Sequence, residues 1–110
     1  MKKSTIALSC AGALLASLLL SVNLFAADAA KGKEVFESNC SVCHNSDSEE
    51  RKIGPGLKGV FKRAKLANGK KPSDATVLEM INEGGNGMPG FSDQLTATEK
   101  QDVIAFLKTL

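Results

Sequence analysis

The chain of 110 residues contains no tryptophan, no tyrosine and only one histidine, His44. Its aromatics are five phenylalanines, too few for a small domain to build a self-sufficient apolar core with ease. A single histidine excludes any centre that needs two imidazoles from one chain. Its only thiols are Cys10, Cys40 and Cys43, so no second Cys or His pair exists to complete a four-ligand zinc site. Strand-rich flanks are missing as well, which removes the βαβ setting of a thioredoxin-like dithiol. Basic residues without aromatic interleaving or a binding motif are weak evidence for nucleic-acid binding, and no nucleic-acid partner is expected.

What is present is Cys40-Ser41-Val42-Cys43-His44, a C-x-x-C-H stretch. Residues three and four apart on a helical turn share one face, so both thiols and the imidazole can address a single flat ligand. The expected ligand is a covalently attached haem, with Cys40 and Cys43 adding to its two vinyl groups and His44 ligating the iron. Haem would then supply the missing core and its thioether links would act as staples. The corollary is an apoprotein that is largely unfolded.

The chain opens with Lys2 and Lys3, carries no charge from Ser4 to Ala27, and reaches small residues at Ala26, Ala27, Ala29 and Ala30. This is the layout of a secretory signal peptide, expected to occupy residues 1–29 with a boundary between 26 and 29. Ala27-Asp28-Ala29 fits the small-x-small rule, whereas a cut after Ala26 leaves Leu24 at the third position back. A mature domain of about eighty residues, 30–110, would remain. An uncleaved anchor is the alternative, weakened by Ser9, Ser17, Ser21 and Asn23 within the apolar run. Export and C-x-x-C-H support each other, because bacteria attach covalent haem after export, so a periplasmic location is expected. No stable membrane insertion is expected once the signal is removed.

A net charge of +2 conceals an asymmetry. Residues 51–71 hold eight basic residues and no acidic ones, whereas residues 74–102 hold six carboxylates against Lys100 alone. Such a basic run is read as a solvated loop, with neutralisation of haem propionates or steering of a partner as the functional alternative.

The expected class is all-α. A first helix is predicted from about Ala29 into the Cys40 region, with Gly32 and Phe36 on one face. Residues 45–71 read as a long loop with an apolar patch at Leu57, Val60 and Phe61, suited to wrapping the lower edge of a haem. Ser73 or Asp74 can cap a second helix carrying Val77, Leu78 and Ile81, which Gly84 and Gly85 should stop. Thr96 and Glu99 form a T-x-x-E capping box for a last helix with Val103, Phe106, Leu107 and Leu110 in one stripe, packed on the first. With His44 used, the soft donors left among the expected mature residues are Met80 and Met88. Met80 reads as core filling within the second helix. Met88 is the favoured sixth ligand, because it lies in a glycine-rich loop before Pro89, and a thioether suits low-spin haem iron.

These residues resemble the class I cytochromes c, in particular the small monohaem bacterial and algal ones. The resemblance runs through Gly32, Phe36, Cys40 to His44, Ile53-Gly54-Pro55-Gly56-Leu57, Gly87-Met88-Pro89-Gly90-Phe91 and Phe106. It implies three to five short helices wrapped around one haem c, held through Cys40 and Cys43, with His44 and Met88 as axial ligands. It also implies that the Pro55 carbonyl accepts the free ring N–H of His44, and that Gly32, Phe36 and Phe106 form the crossing of the first and last helices. Phe106 stands where Tyr or Trp is common in the family, and residues 58–72 form a longer, more basic loop than in its most compact members.

An iron with both axial positions filled has no site for a substrate, so the expected function is reversible one-electron transfer rather than enzymatic turnover. No second histidine accompanies the iron, which argues against a peroxidase. Redox donor and acceptor proteins would meet a monomer through weak, transient contacts. The competing functions are a gas-binding or sensing haem protein with a labile Met88, and a membrane-anchored cytochrome subunit of a respiratory complex.

Overall fold

The computed structural model describes residues 26–110. The expected signal segment lies outside the described residues except for its last few positions. Three helices follow in order: α1 (Ala29–Asn39), α2 (Asp74–Glu83) and α3 (Ala97–Leu107), with a single 3₁₀ turn at Val60–Lys62 in the long loop. No strand occurs among the described residues, only an isolated antiparallel bridge between Gly85 and Met88. The all-α expectation therefore holds, and the helices start and stop close to their sequence signals.

Each helix has a local reason to begin where it does. The Asp28 carboxylate caps α1 by accepting from the amides of Ala30 at 2.9 Å and Lys31 at 3.2 Å. Ser73 caps α2 in a reciprocal box: the Thr76 amide donates to Ser73 Oγ at 3.1 Å, and the Ser73 amide donates to Thr76 Oγ1 at 2.9 Å. The Thr96 and Glu99 pair does the same for α3, at 3.1 Å and 2.7 Å. Gly84 ends α2 at φ 66°, a conformation that glycine enters without a Cβ penalty, and its amide donates to Met80 O at 2.8 Å.

The packing centre is the crossing of α1 and α3. Gly32 is buried there, and a Cβ at that position would overlap the carbonyl of Asp102. That absence of a side chain lets the two backbones approach. One turn further along α1, Phe36 meets Phe106 with ring centroids 5.4 Å apart and planes tilted by 57°, an arrangement favourable for aromatic rings. Val103, Ile104 and Leu107 complete the buried side of α3, and Val77 and Ile81 bring in α2. Each such side chain contributes about 1.5–3 kcal/mol when fully buried. Ile104 was not part of the expected stripe. Leu110 lies beyond the last helical residue and is only partly buried.

Two charged residues of α3 are buried, and both reach backbone groups. Lys100 donates from Nζ to the Ser92 carbonyl at 2.9 Å, and Asp102 accepts from the amide of Asp28 at 2.8 Å. The second contact ties the start of α1 to the middle of α3. At the surface, Lys108 pairs with Asp74 at 2.6 Å and Lys70 with Glu79 at 2.6 Å, exposed pairs that add little individually.

Candidate haem-binding site

Helix α1 runs out directly into the C-x-x-C-H stretch. Cys40 is its C-cap, and the amides of Cys40 and Ser41 both donate to Phe36 O, at 2.8 Å and 2.9 Å. Cys43 and His44 then donate to Cys40 O at 3.1 Å and 2.9 Å, so the five residues form one hydrogen-bonded turn beyond the helix rather than a continuation of it. The turn is held from outside by Lys52, whose Nζ donates to Ser41 O at 2.9 Å, and by the Gly54 amide on Cys43 O at 2.7 Å. Both thiols are free and half-buried. Burial, with a smaller contribution from neighbouring Cys43, pushes the Cys40 thiol up to about 11, so it carries no charge at neutral pH. Conversion to a thioether removes an ionisable group from a place that disfavours its charge.

His44 is oriented by the loop that follows. Its Nδ1 stands 2.8 Å from the Pro55 carbonyl. A carbonyl can only accept, so Nδ1 carries the proton and Nε2 is left with a free lone pair for a metal. Gly54 lies against the same ring, and a Cβ there would collide with the imidazole. Leu57 donates to Asn45 O at 2.7 Å, which closes the loop back onto the segment beyond His44.

The Met88 segment is shaped by backbone conformation. Gly84, Gly85, Asn86 and Gly87 all have positive φ, at 66°, 132°, 52° and 88°. Gly85 and Met88 exchange amide-to-carbonyl bonds of 3.0 Å in both directions. Three glycines and an asparagine are the residue types that tolerate such a run. A Cβ at Gly84 would overlap the backbone of Met88 and Pro89, so the turn lies tightly against the end of α2.

Cys40, Cys43, His44 and Met88 all line one cavity of about 530 Å³. Pro55 lines it too, so all five sequence-predicted site residues meet at one place. The volume falls in the range of small-molecule and cofactor sites. Phe36, Leu57, Val60, Ile81 and Leu107 contribute apolar wall, which makes the core and the cavity one continuous structure. Met80 also lines the cavity and is not among the fully buried core residues, so it faces the ligand space instead of filling the core as expected. Val42 and Ile53 stand at the cavity with 67 % and 68 % of their surface exposed, the two large apolar residues most open to solvent among the described residues.

Arg51 and Arg63 are the basic residues of this lining. Arg63 is fixed by Nη2, which donates to Gly56 O at 2.6 Å and Lys58 O at 2.9 Å. The reading of residues 51–71 as a solvated loop therefore divides: Lys58, Lys62, Lys65 and Lys71 are exposed, whereas Arg63 is half-buried against the cavity. Sequence reasoning missed Arg63 as a distinct residue. Its signal was an arginine two positions beyond the Val60-Phe61 patch, where the loop packs on the core.

The site fits a haem by its own chemistry. Two thiols, an imidazole with one nitrogen engaged and the other free, two methionines and two guanidinium groups are distributed around a largely apolar space. An all-helical fold closed around such a C-x-x-C-H cavity defines a c-type cytochrome.

Comparison with known proteins agrees. The family described as "Cytochrome C oxidase, cbb3-type, subunit III" matches residues 27–107. Cytochrome c6 of Synechocystis sp. is 35% identical over 82 residues, covering 74% of this chain and 65% of that protein. The cytochrome bc1 complex cytochrome c subunit of Corynebacterium diphtheriae is 35% identical over 85 residues, covering 76% of this chain but only 27% of that protein. The chain thus spans less than two thirds of either relative. Among solved structures, cytochrome c6 from the diatom Phaeodactylum tricornutum superposes with a TM-score of 0.59 at 26% identity, covering 74% of this chain and 92% of that one. The chain belongs to the class I cytochromes c, and its cofactor is haem c bound through Cys40 and Cys43.

Proposed function

We propose that this protein is an exported, periplasmic one-electron carrier whose haem iron is ligated by His44 and Met88, and that it is not an enzyme. The observation that carries the reading is the convergence of Cys40, Cys43, His44 and Met88 on one cavity, with His44 Nδ1 already committed to Pro55. When bound, the haem supplies a reversible Fe(II)/Fe(III) couple, and a methionine ligand favours its reduced state.

The protein's own groups define how that couple is used. Pro55 holds the imidazole in one tautomer and one orientation, so the same Nε2 would face the iron in both oxidation states. The apolar wall excludes water and disfavours the extra positive charge of the oxidised site. Arg63, and Arg51 less deeply, put positive charge on the cavity wall, where it would meet haem propionates. Val42 and Ile53 offer a small apolar contact for donor and acceptor proteins, consistent with weak, brief encounters by a monomer. No helix among the described residues is long and apolar enough to cross a membrane.

A second reading has a specific observation behind it: the matched family is described as an oxidase subunit, and a further relative is a bc1-complex subunit of much greater length. In that case the same domain would serve inside a respiratory complex. Visible spectra with redox titration, followed by fractionation of the producing cells, separate the readings. A six-coordinate spectrum with the sulfur-to-iron charge-transfer band, in protein released with the periplasm, supports the carrier. Rapid carbon monoxide binding by the reduced protein at neutral pH would instead indicate a gas-binding site with a labile Met88, and recovery only in membranes would indicate an anchored subunit.

A further inference from the structure

The Asp28 to Asp102 contact bears on where the exported chain is cut. We infer that the signal is removed on the N-terminal side of Asp28, at the Ala26–Ala27 bond, so that the mature protein keeps Asp28 as a working part of its fold. This rests on the export reading.

Three cleavage points are compatible with the small residues at 26–29. A cut after Ala29 satisfies the small-x-small rule best, yet it would remove Asp28 altogether. Asp28 makes four hydrogen bonds at this end of α1. Its carboxylate accepts from the amides of Ala30 and Lys31, at 2.9 Å and 3.2 Å, and its carbonyl accepts from the Gly32 amide at 2.9 Å. Its own amide donates to Asp102 Oδ1 at 2.8 Å. Asp102 is only 5% exposed, and that amide is the partner the structure gives its carboxylate. Losing Asp28 would therefore strip the first turn of α1 of its cap and leave a buried carboxylate without its donor, at the crossing where Gly32 meets the Asp102 backbone.

Between the two remaining points, a cut after Ala27 would put Phe25 at the third position back, and a cut after Ala26 puts the less bulky Leu24 there. A chain starting at Ala27 retains an ordinary peptide amide at Asp28 and the complete cap. The signal run and the helix cap thus meet without overlap, and processing leaves the α1–α3 crossing intact.

The intact mass of holoprotein purified from cells expressing the full chain tests this. A mature chain beginning at Ala27 is expected. A start at Asp28 would displace the bond by one residue and overturn the assignment to Ala26–Ala27, while keeping the cap. A start at Ala30 would overturn the inference entirely while leaving export intact. An uncleaved holoprotein would overturn the inference and indicate an exported domain that keeps its leader as an anchor, whereas failure of the full chain to acquire covalent haem would overturn the export reading. Independently, holoprotein with residues 27–29 deleted should melt lower than the chain beginning at Ala27 by more than the roughly 4–8 °C expected for one lost cap. Its haem spectrum should be unchanged. Equal melting temperatures would show that Asp28 is dispensable and remove the argument.

Discussion

The imidazole of His44 and the carbonyl of Pro55 are joined at 2.8 Å, and Gly54, packed against the same ring, has no room for a side chain. Orientation of the His44 ring is therefore a property of backbone shape. Gly54→Ala forces the ring or the loop to move. The expected outcome is a lower yield of holoprotein and a lower melting temperature, with a shifted midpoint potential in what does fold. Wild-type values of all three in purified holoprotein would show that the ring is not held this way.

Met88 and Met80 both line the cavity, so substitution distinguishes ligand from wall. Met88→Ala should abolish the sulfur-to-iron charge-transfer band, open the iron to carbon monoxide and lower the midpoint potential by a sizeable part of the roughly 0.8 V that axial ligands span. Met80→Leu should leave the band in place and cost less than about 1.5 kcal/mol of stability. Loss of the band in the Met80 variant and its persistence in the Met88 variant would reverse the assignment.

Arg63 is anchored by two backbone carbonyls beside the cavity, so its charge is held in place there. A nearby propionate would ionise more readily than one in an apolar wall. Arg63→Gln should therefore raise the pH at which the midpoint potential begins to vary, while Arg63→Lys restores part of the original profile. An unchanged potential-versus-pH curve in the Gln variant would place the propionates elsewhere.

Much of the helical framework was legible because its signals are local. Thr96 with Glu99, Ser73 at the start of α2 and Gly84 at its end act within a few residues of where they stand, and chain order is all one needs to see them. The C-x-x-C-H turn and the Met88 loop were legible for the same reason. What escaped was set by contacts across the chain. Ile104 is buried because α1 and the rest of the core close over it, and Met80 faces the cavity because α2 is rotated to present Val77 and Ile81 to the core. Asp102 looked like one of six acidic residues in a charged half, and only the arrival of Asp28 on α3 makes it a structural group.

The α1–α3 crossing predicts a severe effect from a small change. Gly32→Ala would drive a methyl into the Asp102 carbonyl, and backbone cannot swing aside as a flexible side chain does. A cost of about 3 kcal/mol or more in holoprotein unfolding is expected, at or above the upper end of overpacking penalties. Any gain in helix propensity, worth at most about 1 kcal/mol, is too small to offset it. A melting curve matching the wild type would mean that the helices separate at little cost.

Because Phe36, Val60, Ile81 and Leu107 belong both to the core and to the cavity wall, the interior is complete only with the haem in place. Without it, about 530 Å³ of largely apolar space must fill with water or collapse. An interior void of that size removes more packing than a marginally stable domain of about eighty residues can lose. Cys40→Ala with Cys43→Ala, which prevents covalent attachment, should thus yield a chain with weak helical circular dichroism and no cooperative melting transition. Free haem added to that variant should recover part of the helicity through the imidazole and the apolar wall alone. A compact apo form that melts cooperatively would show that the three helices hold together without their cofactor, and that the haem is a passenger in a finished fold.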